Sequence, residues 1–315
     1  MSTDPTQPLS PGRRCLIWLA GILAGDIAVG LQFAATIFLT DKLRFARQLG
    51  IPSMFLVPVL GGFIASYIWR TLKPSVGLTF LSTLWMTLLA LLIGAIAFHE
   101  GFICLLILSP LYFLAVLTGA LVGRILFRTD PTRLQLSILP FLAVMALAEP
   151  LTRVNKQNVV TDQILIRAPA TKVWPEVKTF PQIPVAPGFW LFRLGLPYPV
   201  ATTASGDFLD SDRQCIFSDK AIFKERVVDF VPFKKLTFDI TESPPDPELI
   251  GHLTPHRGQF LLQTNADGTT TLVGSTWYTL RVRPLWYFDL WTHHIFRAVH
   301  LRVMEDIRRR AESSP

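Results

Sequence analysis

Long apolar runs with almost no charge fill the first half of this 315-residue chain. The three longest span about residues 15–39, 75–98 and 101–123, and a shorter one spans about 52–69. A helix rises ~1.5 Å per residue and the hydrocarbon core of a bilayer is ~30 Å thick, so about 20 residues cross it. The three long runs therefore predict membrane-spanning helices. The shorter run, near the minimum length, predicts a fourth.

A fifth apolar run lies at residues 134–148 and is shorter again. We interpret it as a fifth span. The first half is thus predicted to be an all-α transmembrane bundle of four or five helices, occupying residues 14–150. The polar, proline-rich residues 1–13 predict a disordered tail before it.

The charged residues are concentrated in the second half of the chain. Residues 1–150 hold 10 Lys and Arg with 6 Asp and Glu, whereas residues 151–315 hold 20 and 17. The net charge of +7 therefore divides into +4 and +3, and no basic run interleaved with aromatics indicates a nucleic-acid partner. The three cysteines form no cluster with one another or with histidines, so we expect no metal site and no cofactor.

Basic residues in the predicted loops indicate how the bundle is oriented. Seven lie on the side of the N-terminus and three on the opposite side. The positive-inside rule then places the N-terminus in the cytoplasm of a multi-pass protein of the cell membrane. With five spans, which hydropathy favours, the second half is extracytoplasmic. With four, which Arg153 and Lys156 favour, it is cytoplasmic.

Asp26 is the polar residue that lies deepest in a predicted span. An ionised aspartate in the centre of a membrane helix costs roughly 2.5–3.5 kcal/mol on insertion scales. It could belong to an ion or proton relay. Alternatively, it is protonated or hydrogen-bonded at a helix–helix contact that the nearby Gly25 and Gly30 permit.

Hydrophobic residues alternate with a period of two beyond residue 160, as in half-buried strands. Leu236, Phe238 and Ile240 alternate with polar neighbours, and "NADG" at 265–268 predicts a hairpin because Asp-Gly supplies the positive φ angles of a tight turn. The proline-rich stretch 243–256 predicts a long loop.

The chain ends in a predicted long amphipathic helix that starts near Pro284. The order is one strand, two short helices, about six strands and one long helix. An antiparallel sheet covered by a long helix is an α+β layer fold.

Three segments carry a resemblance to a known superfamily. They are the opening "ILIRAPATKVWPEVKTFPQI", the hairpin strand "LVGSTWYTL" and the final helix "VHLRVMEDIRRRAE". Residues 158–312 resemble the SRPBCC superfamily, the helix-grip domains of the START, Bet v 1 and polyketide cyclase-like type. The resemblance implies a curved antiparallel sheet wrapped around the C-terminal helix, with an apolar cavity between them. It carries over no catalytic residue, because the superfamily shares none.

Strand parity and helix spacing predict which side chains face this cavity. They are expected to form either its wall or simply a packed core. The candidates are Phe238, Ile240, Phe260, Leu262, Thr276, Tyr278, Trp291, Ile295 and Val299.

Glu225 is a weak candidate for a catalytic residue. It shares a strand face with Phe223 and Val227, so it enters the cavity if that face is concave, where burial would raise its pKa and suit it to acid–base chemistry. The alternatives are an edge strand with Glu225 in water, or an ion pair with a nearby arginine. The histidines of the final helix are expected at its surface or in its packing.

Three functions follow from these features. The first is a membrane-anchored module that binds a hydrophobic small molecule or a lipid, with the bilayer as its other partner. The second is a polyketide cyclase-like enzyme that uses an acid or base in the cavity. The third is a sensory or protein-interaction module whose cavity is filled by its own side chains.

Overall fold

The structure is a computed structural model that describes residues 10–42, 55–97, 101–129, 156–245 and 253–313. The chain divides into two compact units, Met1–Arg153 and Val154–Pro315. The predicted fifth span at 134–148 lies outside the described residues, as do residues 1–9 of the predicted tail.

The first unit consists of apolar helices. In its described part they are α1 (Pro11–Lys42), α2 (Val57–Trp69), α3 (Val76–Ala97) and α4 (Phe102–Thr129). The tail was predicted to extend to residue 13, but α1 already begins at Pro11. The reason is local, because Ser10 caps the helix by accepting a hydrogen bond from the Arg13 backbone N–H at 3.4 Å, and proline suits the first helical position.

Three of these helices are long and apolar enough to span a membrane. The qualifying stretches are Pro11–Ala35, Val76–Ile96 and Phe102–Phe127. The helix α2 is equally apolar but has only 13 residues, which is shorter than the ~20 that a span needs. The described part of the run at 52–69 is therefore a short helix within the bundle.

Glycines let the helices of the first unit approach closely. A Cβ atom built on Gly62 of α2 would lie 2.0 Å from the Val116 carbonyl oxygen of α4, and one on Gly119 of α4 would lie 1.8 Å from the Val59 carbonyl oxygen of α2. Small residues at helix crossings are typical of membrane bundles, where close packing replaces the hydrophobic effect as the source of stability.

The second unit contains a seven-stranded antiparallel sheet. Its strands are β1 (Lys156–Ile166), β2 (Pro199–Ala204), β3 (Asp212–Phe217), β4 (Ile222–Val231), β5 (Lys235–Glu242), β6 (Leu253–Thr264) and β7 (Thr270–Leu280). They follow the order β1-β7-β6-β5-β4-β3-β2 across the sheet. The predicted hairpin joins β6 to β7, and Gly268 in its turn has a φ of +81°.

Three helices complete the described part of the second unit. The short helices α5 (Ala170–Lys178) and α6 (Trp190–Arg193) follow β1, and the long helix α7 (Leu285–Ser313) ends the described chain. Arg302 of α7 donates a hydrogen bond to the Pro199 carbonyl of β2, while His300 lies 2.8 Å from Asp162 of β1. Since β1 and β2 are the two edges of the sheet, one helix can contact both only because the sheet curves around it. The predicted α+β helix-grip fold is confirmed.

The loop predicted at 243–256 was wrong at its end, because β6 already begins at Leu253. Pro255 pairs with Tyr278 of β7, whereas the pairing of β6 with β5 ends at Arg257. Because β5 does not pair with β6 at this position, the missing N–H of Pro255 removes no hydrogen bond between these two strands. The register also shifts between Pro255 and Arg257, and a proline is tolerated at such a bulge.

The hydrophobic core of the second unit lies under the C-terminal half of α7. Val303, Met304 and Ile307 pack there against the concave face of the sheet and against α5. Nearer the middle of the helix, around Ile295 and Val299, the helix and the sheet leave a cavity between them.

Candidate functional site

A cavity of about 180 Å³ lies between the concave face of the sheet and the middle of α7. Its wall is mostly apolar and comes from α7, from strands β2 to β7 and from the segment just before β2. An apolar cavity of about 150 Å³ is known to accommodate benzene. The space beneath α7 therefore suits a molecule with about one aromatic ring, and not a complete two-chain lipid.

Six of the side chains expected to face inward line this cavity. Ile295 and Val299 lie on α7, Phe238 and Ile240 on β5, Phe260 on β6 and Thr276 on β7. Strand parity places the four sheet residues on the concave face, and the three- to four-residue period of the helix places Ile295 and Val299 on the side that faces the sheet. The glycine at 258 makes room, because a Cβ atom there would lie 2.4 Å from the Phe238 ring.

The other three candidates lie elsewhere in the second unit. Leu262 faces inward but belongs to the packed core farther along β6. Tyr278 is buried beneath the helix, where its hydroxyl donates to Asp289 at 2.9 Å and its ring packs on Phe296. Trp291 contacts the ring of Trp190 in α6. Their direction is as the pattern indicates, but their position along each element removes them from the cavity wall.

A buried ion pair forms one part of the wall. Arg213 of β3 and Glu225 of β4 are directly opposite each other in the sheet, and the Arg213 Nη1 to Glu225 Oε2 distance is 2.7 Å. Their side chains are only 3% and 6% exposed. Burial raises the pKa of Glu225, and the charge and hydrogen bond of Arg213 oppose that rise. Glu225 thus enters the cavity and is also paired with an arginine, so two of the arrangements considered for it occur together.

A hydrogen-bonded chain supplies a second polar part of the wall through His300 and Thr276. His300 of α7 lies with Nδ1 2.8 Å from Asp162 Oδ2 on β1 and with Nε2 2.8 Å from Thr276 Oγ1 on β7. The strands place the two partners side by side, because Asp162 is opposite Gly274 and Thr276 lies two residues farther on the same face. Arg297 approaches the other oxygen of Asp162 at 3.1 Å.

The environment of Asp162 keeps it ionised. Burial by itself would raise the pKa of this carboxyl, but the hydrogen bond from His300 and the positive charges of His300, once protonated, and of Arg297 outweigh burial and lower the pKa. An ionised carboxylate only accepts hydrogen bonds, so His300 Nδ1 must carry a proton.

We expect this carboxylate to make the second unit sensitive to acid. A carboxyl whose pKa is lower in the folded chain than in the unfolded chain stabilises the fold above about pH 4, and that stabilisation is lost as the pH falls through the lower, folded value. Denaturation midpoints of the full chain measured between about pH 6 and about pH 3 should therefore fall less steeply for Asp162→Asn than for the native chain. Equal slopes in the two proteins would contradict this assignment.

The remaining reactive groups offer less chemistry. Burial, together with the charge of Glu225, raises the pKa of the Cys215 thiol to about 12, so this cavity residue is no thiolate nucleophile at neutral pH. His293 and His294 are exposed on α7. Within the described ranges, no group of three His, Cys, Asp or Glu side chains is placed to hold a metal ion.

Asp26 is buried in the first unit, with 7% of its surface exposed. The adjacent Gly25 lies against the backbone of Gly61, so this part of α1 is a helix–helix contact. Among the described residues, neither carboxylate oxygen of Asp26 has a hydrogen-bond partner. A relay through Asp26 remains a prediction.

The sequence analysis did not single out Asp162 or Arg213 as members of the site, and it expected His300 at the surface or in the packing of the final helix. Parity could have found Asp162, since it shares a strand face with the apolar Ile164 and Ile166. Arg213 likewise shares a strand face with Cys215 and Phe217. The partner of each group, however, depends on strand register and on how the helix lies across the sheet.

No protein-family model and no curated protein sequence matches this chain. Solved structures do resemble about half of it. The second-unit fold is similar to a protein from Nitrosospira multiformis, with 16% identity, 50% of this chain and 97% of that chain covered, and a TM-score of 0.35.

Two similar structures are enzymes by their descriptions. One is truncated norcoclaurine synthase from Thalictrum flavum, with 12% identity, 52% of this chain and 97% of that chain covered, and a TM-score of 0.35. The other is the Zhui aromatase/cyclase from a Streptomyces species, with 14% identity, coverages of 50% and 94%, and a TM-score of 0.35. No functional residue is carried over from these proteins.

Proposed function

We propose that the second unit binds a small, mainly apolar molecule in its cavity and that the apolar helices anchor it to a membrane. The observation that carries the proposal is the cavity itself, a space of about 180 Å³ in the sheet–helix interior whose wall is mostly apolar. An apolar molecule gains ~25 cal/mol for each Å² of surface that it removes from water. The cavity size favours a small ring compound or part of an acyl chain over an entire lipid.

The membrane anchor is supported by the three helices that are long and apolar enough to span a bilayer. Anchoring would raise the local concentration of the binding module near a membrane, where apolar molecules accumulate. In the proposed topology the N-terminus is cytoplasmic, and the number of spans decides the side of the second unit. Protease access to that unit in sealed vesicles of known orientation distinguishes an even number of spans from an odd number.

Membership of the SRPBCC superfamily is part of this proposal. It is supported by the three sequence segments that resemble the superfamily and by the curved sheet around α7. A cyclase-like enzyme is the second candidate, and one observation favours it: Glu225 is a buried carboxylate in the cavity wall with a raised pKa. If Glu225 is the acid, Glu225→Gln will abolish turnover while the cavity still binds an apolar probe, and retention of turnover would exclude that role.

We expect Val299→Trp to abolish ligand binding by filling the cavity. Val299 lies in the cavity wall on α7, so the larger indole would occupy the space of the ligand. The probe is para-methylanisole, titrated by calorimetry into the full chain in lipid nanodiscs, and the heat of its partition into empty nanodiscs is subtracted.

Leu290→Trp is the matched control, because it adds the same side chain to the same helix at a position that is 54% exposed. It should bind the probe like the native chain. If the native chain shows no saturable heat above that of empty nanodiscs, either with this probe or with its hydroxyl analogue para-cresol, the proposed binding function is wrong.

A further inference from the structure

We propose that the cavity selects an uncharged ligand with one hydrogen-bond donor, such as a phenol or an alcohol, and that Thr276 accepts this hydrogen bond. The inference rests on the proposed binding function and specifies the chemistry of its ligand. It follows from the direction in which protons are fixed along Asp162, His300 and Thr276, and from the charge balance of the cavity wall.

The hydrogen-bonded chain fixes the direction of the Thr276 hydroxyl. Asp162 accepts the proton of His300 Nδ1, and in a neutral imidazole Nε2 then has only a lone pair. The Thr276 hydroxyl, 2.8 Å from Nε2, must donate to it. Because the hydroxyl proton is used in that hydrogen bond, Thr276 can offer a ligand in the cavity only the lone pairs of its oxygen. Such a group accepts from a ligand O–H or N–H but cannot donate to an ether or a carbonyl.

The neighbouring arginine explains why the imidazole can be neutral. Arg297 Nη1 lies 3.1 Å from Asp162 Oδ1, so the negative charge of this buried carboxylate already has a positive partner. With a neutral imidazole, the charges of Asp162 and Arg297 balance each other without a further positive charge. His300 thus acts as a positioning residue for Thr276.

The remaining charges of the wall argue against a charged ligand. Arg213 and Glu225 are the fully charged side chains among the described residues that line the cavity, and they neutralise each other at 2.7 Å. A carboxylate or ammonium ligand would have to leave water without a free opposite charge to receive it, which is costly. A neutral donor avoids that cost.

A second threonine in the wall provides the comparison. Thr202 also lines the cavity, but its hydroxyl oxygen is buried and interacts with the Cys215 thiol. A hydroxyl that is not exposed to the cavity does not distinguish a phenol from an ether. Only Thr276 should produce a preference for the donor.

The experiment compares three probes of nearly equal shape: para-cresol, para-methylanisole and para-toluate. Each is titrated by calorimetry into the full chain in nanodiscs, with the Val299→Trp protein in nanodiscs as the blank. We expect para-cresol to bind ~3–10-fold more tightly than para-methylanisole, the range that one net hydrogen bond provides, and para-toluate to bind more weakly than either.

Four variants identify the group responsible. Thr276→Val keeps the shape and removes the hydroxyl, so the two neutral probes should bind equally, whereas Thr276→Ser should restore the preference for para-cresol. His300→Gln should reduce that preference, and Thr202→Val should leave it unchanged. Melting curves of each variant show that it is folded.

Several outcomes would overturn the inference while the proposed function stands. They are equal binding of para-cresol and para-methylanisole by the native chain, tighter binding of the ether, a preference that survives Thr276→Val, or a preference that disappears in Thr202→Val. Saturable binding of none of the three probes would instead refute the proposed function.

Discussion

Replacing Arg213 with methionine will destabilise the second unit by about 3–5 kcal/mol, the usual cost of removing one partner from a buried ion pair. The Glu225 carboxylate, 6% exposed, would lose the Nη1 donor at 2.7 Å and remain in an apolar wall. The guanidinium also donates to the Lys178 carbonyl and lies over the Phe238 ring, so its loss affects α5 and β5 as well. Pulse proteolysis of the full chain across a urea series measures the change.

The double variant Arg213→Met, Glu225→Leu is the matched control. It removes both charges and leaves side chains of similar volume, an exchange that is often neutral or stabilising for buried ion pairs. We therefore expect it to recover most of the lost stability. If the double variant were as unstable as Arg213→Met alone, the shape of the two side chains, and not the unpaired carboxylate, would explain the loss.

The ion pair also shows where a reading of the sequence reaches its limit. Parity placed Glu225 on the same face as Phe223 and Val227, and this was right. Whether the Glu225 side chain meets water, an arginine or a cavity depends on which residue of the adjacent strand lies opposite it. That residue is Arg213, and the register that pairs them is a tertiary property.

The elements themselves could be predicted better than the site, because their signals are local. The alternation around Phe238, the Asp-Gly turn and the helix start at Pro284 each involve only a few neighbouring residues. Pro255 led to the wrong loop prediction because the rule that excludes proline from strands applies to strands that are hydrogen-bonded to a neighbouring strand on each side. The pairing of β5 with β6 ends at Asp239 and Arg257, so Pro255 lacks one such neighbour.

The cavity depends on distance along an element, which alternation does not encode. Phe260 and Leu262 are two residues apart on the same face of β6, yet the first lines the cavity and the second lies in the packed core. The difference arises because α7 packs closely on the sheet near Met304 and leaves space near Val299. Nothing in the inward-facing pattern marks where the packing changes.

Replacing Gly119 with alanine will destabilise the helices of the first unit. An added Cβ atom would lie 1.8 Å from the carbonyl oxygen of Val59, a backbone atom that cannot move aside as a side chain can. The helices α2 and α4 would have to separate and lose contacts along their crossing, including the reciprocal one between Gly62 and Val116. Overpacking of this kind typically costs ~1–3 kcal/mol and sometimes more.

The fraction of full chain that stays monodisperse after heating in detergent measures this effect, and Gly30→Ala in α1 provides the control. A Cβ atom at Gly30 would meet no atom within 4 Å. Alanine has a better helix propensity than glycine by ~1 kcal/mol, so Gly30→Ala should be neutral or stabilising. The two glycine-to-alanine changes therefore differ in sign, which an effect of helix propensity alone cannot produce. If Gly119→Ala melted like Gly30→Ala, the α2–α4 crossing would not depend on direct backbone contact, and the first unit would need another source of stability.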